Sequence, residues 1–198
     1  MAVSITYELD QECTRVPYGP IADHIRDNRG FSDLRGRPDD VSKITECAQS
    51  AALARLLLAL AQPSSCVFSL GCDLGAHRAK GGPKRLRDVA GGYIQVVCGE
   101  YAKTKPEDYR RFAEEIASAM QKRSSGNRWE LTFVLKGVEL HLDDFGKIAP
   151  SVWIWFDARA AKPEAALQAR ENLIDCLTEA LTADASLAAL KGVQVPLA

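Results

Sequence analysis

The chain predicts an α+β fold, a mostly antiparallel sheet with helices on one face. Three observations lead there. Stretches of two-residue apolar alternation recur among stretches of helical periodicity. Clusters of Gly, Pro, Asn and Asp separate them. A strand-then-helix pattern is also written twice, since GGYIQVVCGEYA at 91–102 leads into TKPEDYRRFAEEIASAMQ, and SVWIWFDARA at 151–160 leads into AKPEAALQARENLIDCLTEALTA. Laid on each other without a gap, the copies pair Glu100 with Asp157, Lys105 with Lys162, Pro106 with Pro163 and Ile116 with Leu173. The C-terminal two-thirds therefore reads as an apparent ββα duplication, with its two helices side by side on one sheet face. The whole chain, 1–198, is expected to form a single α+β domain: a strand and an irregular charged segment at 1–40, then a helix and the ββαββα core at 41–198.

The first strand is expected at 2–9, where Val3, Ile5, Tyr7 and Leu9 alternate with Ser4, Thr6 and Glu8; it suits a sheet edge. From 11 to 40 the pattern dissolves into Pro17, Gly19, Pro20, Gly30, Gly36 and Pro38 among arginines and aspartates, with a short helical turn expected near 21–27. Unstructured connections of that length are uncommon and usually functional or poorly ordered. Asp39 or Asp40 is placed to cap a single helix over 40–61, ended by Pro63. CVFSLGCDL predicts a strand over 65–74, and the connection at 77–87 predicts a flexible basic loop around Gly81, Gly82 and Pro83. A strand at 91–101 with two apolar faces suits the sheet interior. Thr104 and Glu107 match a capping box for a helix at 105–123, which Ser125, Gly126 and Asn127 would stop. Alternation over 128–142 predicts a strand with a hairpin or bulge at Gly137, and Pro150 marks the next turn. A strand at 151–158 and a helix at 162–183, without a capping hydroxyl, complete the core. A short helix at 187–190 and an extended end at 193–196 follow.

Composition narrows the function classes. Of 198 residues 46% are apolar and 26% charged, which is the range of a folded globular protein. A formal charge of −1 excludes a globally basic nucleic-acid coater. No leader-like or membrane-spanning apolar run occurs, and the six cysteines lack metal-type pairing, so a cytoplasmic protein with reduced thiols and no membrane partner is expected.

Candidate sites are few. Arg78, Lys80, Lys84, Arg85 and Arg87 crowd the 77–87 connection, where flexible cations suit phosphates or an acidic protein surface. No aromatic residue separates them, so base stacking is not provided there. Trp153 and Trp155 share one strand face, either inside a covered strand or as an exposed patch of the type that forms binding hot spots. Cys72, beside the basic loop, and His141 with Asp143 are the only handles for thiol or His/Asp hydrolysis. Cys66 and Cys72 stand too far apart along one strand for a shared zinc, and no catalytic set, metal site or cofactor is expected. The expected function is non-enzymatic binding of another protein, as an inhibitor, immunity or adaptor protein does. The alternative is nucleic-acid or anionic-ligand binding through the basic loop.

Overall fold

Edge-to-edge pairing of long alternating segments builds the sheet. The computed structural model describes residues 1–8, 13–22, 27–28, 30–80, 86–124, 128–143, 145–183 and 190. Leu9, Lys84, Arg85, the middle of the basic connection at 81–85, the helix stop at 125–127 and the tail at 191–196 lie outside them.

The strands are β1 (Ala2–Glu8), β2 (Thr14–Val16), β3 (Ile21–Ala22), β4 (Asp27–Asn28), β5 (Val67–Arg78), β6 (Asp88–Cys98), β7 (Trp129–Leu142) and β8 (Phe145–Ala160). The helices are α1 (Ala51–Leu60), α2 (Pro106–Arg123) and α3 (Pro163–Thr182). The main sheet runs β1-β7-β8-β6-β5, and β2 joins β7 beyond the end of β1. β5, β6, β8 and β7 are antiparallel neighbours, whereas β1 and β2 lie parallel to β7. The class is α+β with a mostly antiparallel sheet, as the alternation predicts, and β1 is an edge strand. From β5 onward the order is hairpin, helix, hairpin, helix, with Pro106 and Pro163 each opening its helix.

Alternation divides the sheet into two faces. Val152, Ile154, Phe156 and Ala158 of β8, Ile94 and Val96 of β6, and Leu131, Phe133 and Leu135 of β7 are buried beneath the helices. There they meet Tyr109, Phe112, Ile116 and Met120 of α2, Leu173, Ile174, Leu177 and Leu181 of α3, and Leu53, Leu56, Leu57 and Leu60 of α1. Each fully buried Leu, Ile or Phe contributes roughly 1.5–3 kcal/mol. The Tyr109 hydroxyl accepts the Cys98 amide at 2.6 Å, fixing α2 against the end of β6. Arg123 Nε reaches Glu179 Oε2 at 3.1 Å and ties α2 to α3. Among the described residues no helix is long and apolar enough to cross a membrane.

Several sequence expectations are corrected. The helix expected over 40–61 is three pieces: 3-10 helices Pro38–Lys43 and Thr45–Ala48, then α1. Ile44 and Ser50 have extended backbones that break the run, and Ser50, not Asp39 or Asp40, caps α1 by accepting the Leu53 amide at 3.0 Å. The turn expected near 21–27 is replaced by β3 pairing antiparallel with β4. β5 continues to Arg78, so His77 and Arg78 belong to a strand and not to a loop. The bulge expected at Gly137 is absent: β7 runs unbroken with Gly137 opposite Pro150, which sits inside β8. At α2 the capping box is displaced by one residue, with the Lys105 amide donating to Asp108 Oδ2 at 2.9 Å while the Thr104 hydroxyl donates to the Glu100 carbonyl.

The segment before α1 acts as a cover over half of the second face. Tyr18 reaches the Leu70 carbonyl at 3.4 Å, and Phe31 packs edge-on to Tyr18. The Arg35 guanidinium lies 4.2 Å above the Phe68 ring and pairs with Asp33 at 2.8 Å and Asp143 at 2.7 Å. Under this cover Val16, Leu34, Phe68, Val97, Val138, Leu140 and Ala149 are buried. The other end of the same face has no such cover among the described residues.

Candidate functional site

The uncovered end is built from four rows of cross-strand neighbours. Gly71, Gln95, Trp153 and Val134 make the row next to the cover; Asp73, Tyr93, Trp155 and Thr132 make the second. Gly75, Gly91, Asp157 and Glu130 make the third, and His77, Val89 and Arg159 the fourth. Two adjacent glycines in the third row leave a depression between rings on one side and His77 on the other. The result is a groove of about 280 Å³ lined by Asp73, Gly75, His77, Gly91, Tyr93, Glu130, Thr132, Trp155 and Asp157.

Aromatic stacking forms its wall. Tyr93 lies 4.7 Å from Trp153 and 4.8 Å from Trp155, centroid to centroid, and the two indoles are 5.9 Å apart with 17° between planes. Ring pairs at such distances hold one another in place. Trp153 is half-buried, and Lys136 Nζ sits 5.6 Å over its ring while pairing with Glu8 at 2.8 Å. Beneath it Gln95 donates to Ser151 at 3.0 Å, a buried pair that closes the boundary with the covered end. Trp155, at the outer end of the stack, is 44% exposed.

Charge in the groove is mostly negative. Arg159 Nη2 pairs with Glu130 Oε2 at 2.9 Å. Asp73 and Asp157 are half-buried, and neither receives a hydrogen bond from a described residue. Burial pushes the Asp157 carboxyl up from its ordinary value; Arg159 pulls it down, Glu130 pushes it further up, and His77 opposes. Asp157 leans over Gly91, where an added Cβ would lie 2.0 Å from its Oδ1. Tyr93 is pushed up to about 12, first by burial and then by its neighbours Tyr18 and Asp73, so it stays a neutral ring. Among the described residues lining the groove the one aliphatic hydroxyl, that of Thr132, accepts from Ser4 at 2.9 Å instead of meeting a base.

Of the residues singled out from sequence, Trp153 and Trp155 come together in this wall. Of the cations, the described Arg78, Lys80 and Arg87 do not join them, and Lys84 and Arg85 lie outside the described residues. Arg78 ends β5 on the helix side of the sheet, beside Pro163 and Leu167, and Lys80 is exposed in the bend that follows. Arg87 is half-buried; its carbonyl accepts the Ala79 amide at 2.7 Å at the hairpin end, and its side-chain Nε is buried without a hydrogen-bond partner among the described residues. Burial, with Glu46 adding to it, pushes the Cys72 thiol up, opposite to what a nucleophile needs. His141 turns to Glu139 at 2.6 Å, while Asp143 turns to Arg35 and to the Tyr101 hydroxyl, which lies 3.2 Å away. Among the described residues no three His, Cys, Asp or Glu side chains converge on a metal position.

Sequence reasoning missed Asp73, Gly75, Gly91, Tyr93, Glu130 and Asp157. A signal was present, because glycine inside a strand marks close approach by another group. The pair Gly91 and Gly92 carries it, since an added Cβ would meet Asp157 Oδ1 at 2.0 Å at the first and the Asp73 carbonyl at 2.1 Å at the second. Comparison with protein-family models, with curated proteins and with solved structures returned no match.

Proposed function

We propose that this is a non-enzymatic binding protein of the cytoplasm, of the inhibitor, immunity or adaptor kind, which seats another protein on the uncovered end of its second sheet face. The observation that supports it most is the Tyr93, Trp153 and Trp155 stack, rigid yet ending in a solvent-exposed indole. A large ring held rigid in water is a prepaid contact: its burial in a complex gains hydrophobic free energy while little rotamer freedom is lost. Tryptophan and tyrosine dominate binding hot spots for this reason. The groove beside the stack adds shape, which a flat solvated strand face lacks. Its carboxylates repel polyanions, which disfavours nucleic acid on this face.

The test is capture of the partner from native cells by the wild-type chain and by two double variants. With Tyr93→Ala plus Trp155→Ala, partner affinity falls by about thirtyfold or more, the scale of a hot-spot truncation. With Arg78→Ala plus Lys80→Ala it stays within about threefold. The reverse pattern, with affinity falling steeply as salt is added, would place anionic-ligand binding on the 77–87 segment instead.

A further inference from the structure

We propose that the groove is a socket for a guanidinium group, so that the partner segment lying on the uncovered face is basic and inserts an arginine side chain between the Trp155 and Tyr93 rings and the carboxylates of Asp73 and Asp157. This rests on the binding-face reading above and names the chemistry it recognises.

Three observations converge. First, the hydrogen-bonded ion pairs of this face leave out Asp73 and Asp157; Arg159 and His77 act on Asp157 only through their charge, and Arg159 Nε is buried without a partner among the described residues. Lys136 serves Glu8 and the Trp153 ring, and Arg159 serves Glu130. What remains is the Trp155 and Tyr93 end of the stack, over which no described residue places a cation, together with Asp73 and Asp157, which no described residue hydrogen-bonds. Second, ring faces and half-buried carboxylates favour the same kind of ligand. A cation gains from the ring quadrupole, and a group with several N–H donors satisfies carboxylate lone pairs that water reaches poorly. Third, size and shape select among cations. About 280 Å³ is below the roughly 300–1,000 Å³ of pockets for drug-sized ligands, and suits one long side chain. A bare metal ion would need at least three converging ligands, and among the described residues no three His, Cys, Asp or Glu side chains converge. Guanidinium is planar, stacks on indole and offers paired donors, whereas ammonium is a compact, strongly hydrated point. Lys136 over Trp153 shows that this stack accepts a cation from the protein's own chain.

The experiment uses the full chain, labelled with nitrogen-15, and follows the Trp155 indole N–H, identified through Trp155→Phe. The probe is the capped tripeptide Gly-Arg-Gly, compared with the same tripeptide carrying citrulline, which keeps the shape and loses the charge. The expected result is saturable movement of the Trp155 signal by the arginine peptide with a Kd on the order of 1–10 mM. Citrulline binds at least about tenfold more weakly, and Asp157→Asn and Asp73→Asn each weaken the arginine peptide by about three- to tenfold. Thermal melting of both variants checks that they remain folded. Equal binding of citrulline, no movement of Trp155, or full affinity in both carboxylate variants would overturn the socket. If Tyr93→Ala plus Trp155→Ala loses the partner while the arginine peptide does not bind, the face remains the binding surface and the socket alone is refuted.

Discussion

Gly75 and Gly91 stand opposite each other in β5 and β6, yet their surroundings differ completely. A Cβ at Gly91 would meet Asp157 Oδ1 at 2.0 Å and the Phe156 carbonyl oxygen at 2.4 Å, and the latter is backbone that cannot step aside. At Gly75 nothing lies within 4 Å. Gly91→Ala is therefore expected to destabilise by about 1–3 kcal/mol, the usual cost of overpacking, while Gly75→Ala stays within about 0.5 kcal/mol. Urea denaturation of the pair measures the difference, and equal midpoints would contradict the packing described. Asp157 itself is a stability cost. Its carboxyl is raised above the ordinary 3.8, chiefly by burial, so the native state holds the proton more tightly than the unfolded chain does. Between 3.8 and the raised value the native state binds more protons, and wild-type stability therefore falls as pH rises through that window. Asp157→Asn escapes this loss. Its melting temperature should exceed wild type by about 1–3 °C near neutral pH, with the advantage shrinking in acid as Asp157 of the wild type becomes protonated. A variant less stable at neutral pH would mean that the carboxylate is favourably paired. A carboxylate that lowers stability in an exposed groove is the pattern of a binding residue.

At the scale of elements, the sequence was readable where both faces of a segment are committed and misleading where one is not. β6, β7, the 151–158 part of β8 and both long helices follow from periodicity, because each buries a continuous stripe, whereas 145–150 was read as a turn around Pro150 and is the first part of β8. The run from Val41 to Leu60 misled because Val41, Ile44 and Cys47 fall every third residue, a spacing that 3-10 geometry satisfies as well as the start of an α-helix. What decides is Ser50, whose hydroxyl takes the Leu53 amide, reinforced by Glu171 of α3, which accepts the Ala52 amide at 3.0 Å. Ser50→Ala is accordingly expected to cost about 1 kcal/mol, within the range for lost caps, whereas Asp39→Ala and Asp40→Ala cost less than about 0.5 kcal/mol. Denaturant midpoints would show it, and a larger loss at Asp40 than at Ser50 would restore the longer helix. The far half of β5 was read as loop for a related reason. Gly75, Ala76, His77 and Arg78 are all exposed, so no burial imprints an alternation on them.

For the whole molecule, the decisive feature is that the second sheet face is divided between a cover and a groove. The aromatic half of the site was visible as Trp153 and Trp155 on one strand face, which Asp157 shares by simple alternation along β8; their cross-strand partners were not, because Asp73, Tyr93 and Glu130 come from strands whose register no local pattern specifies. The cover was equally hidden, since Val16, Tyr18, Phe31 and Leu34 are scattered among charges at irregular spacing. Arg35 is its clasp, with Asp33, Asp143 and the Phe68 ring all engaging one guanidinium. Arg35→Ala is expected to accelerate amide exchange at residues 31–37 and around Leu142 by at least about tenfold, while α2 and α3 stay protected. Uniform acceleration across the helices would instead make Arg35 part of the global core. The most direct test of the account is photo-cross-linking in native cells from two positions, Thr132→benzoylphenylalanine in the groove wall and Glu114→benzoylphenylalanine on the outer side of α2. A discrete protein adduct is expected from position 132 that disappears when Trp155→Ala is added, and none from position 114. An adduct from position 114 alone, or one from position 132 that survives Trp155→Ala, would contradict it.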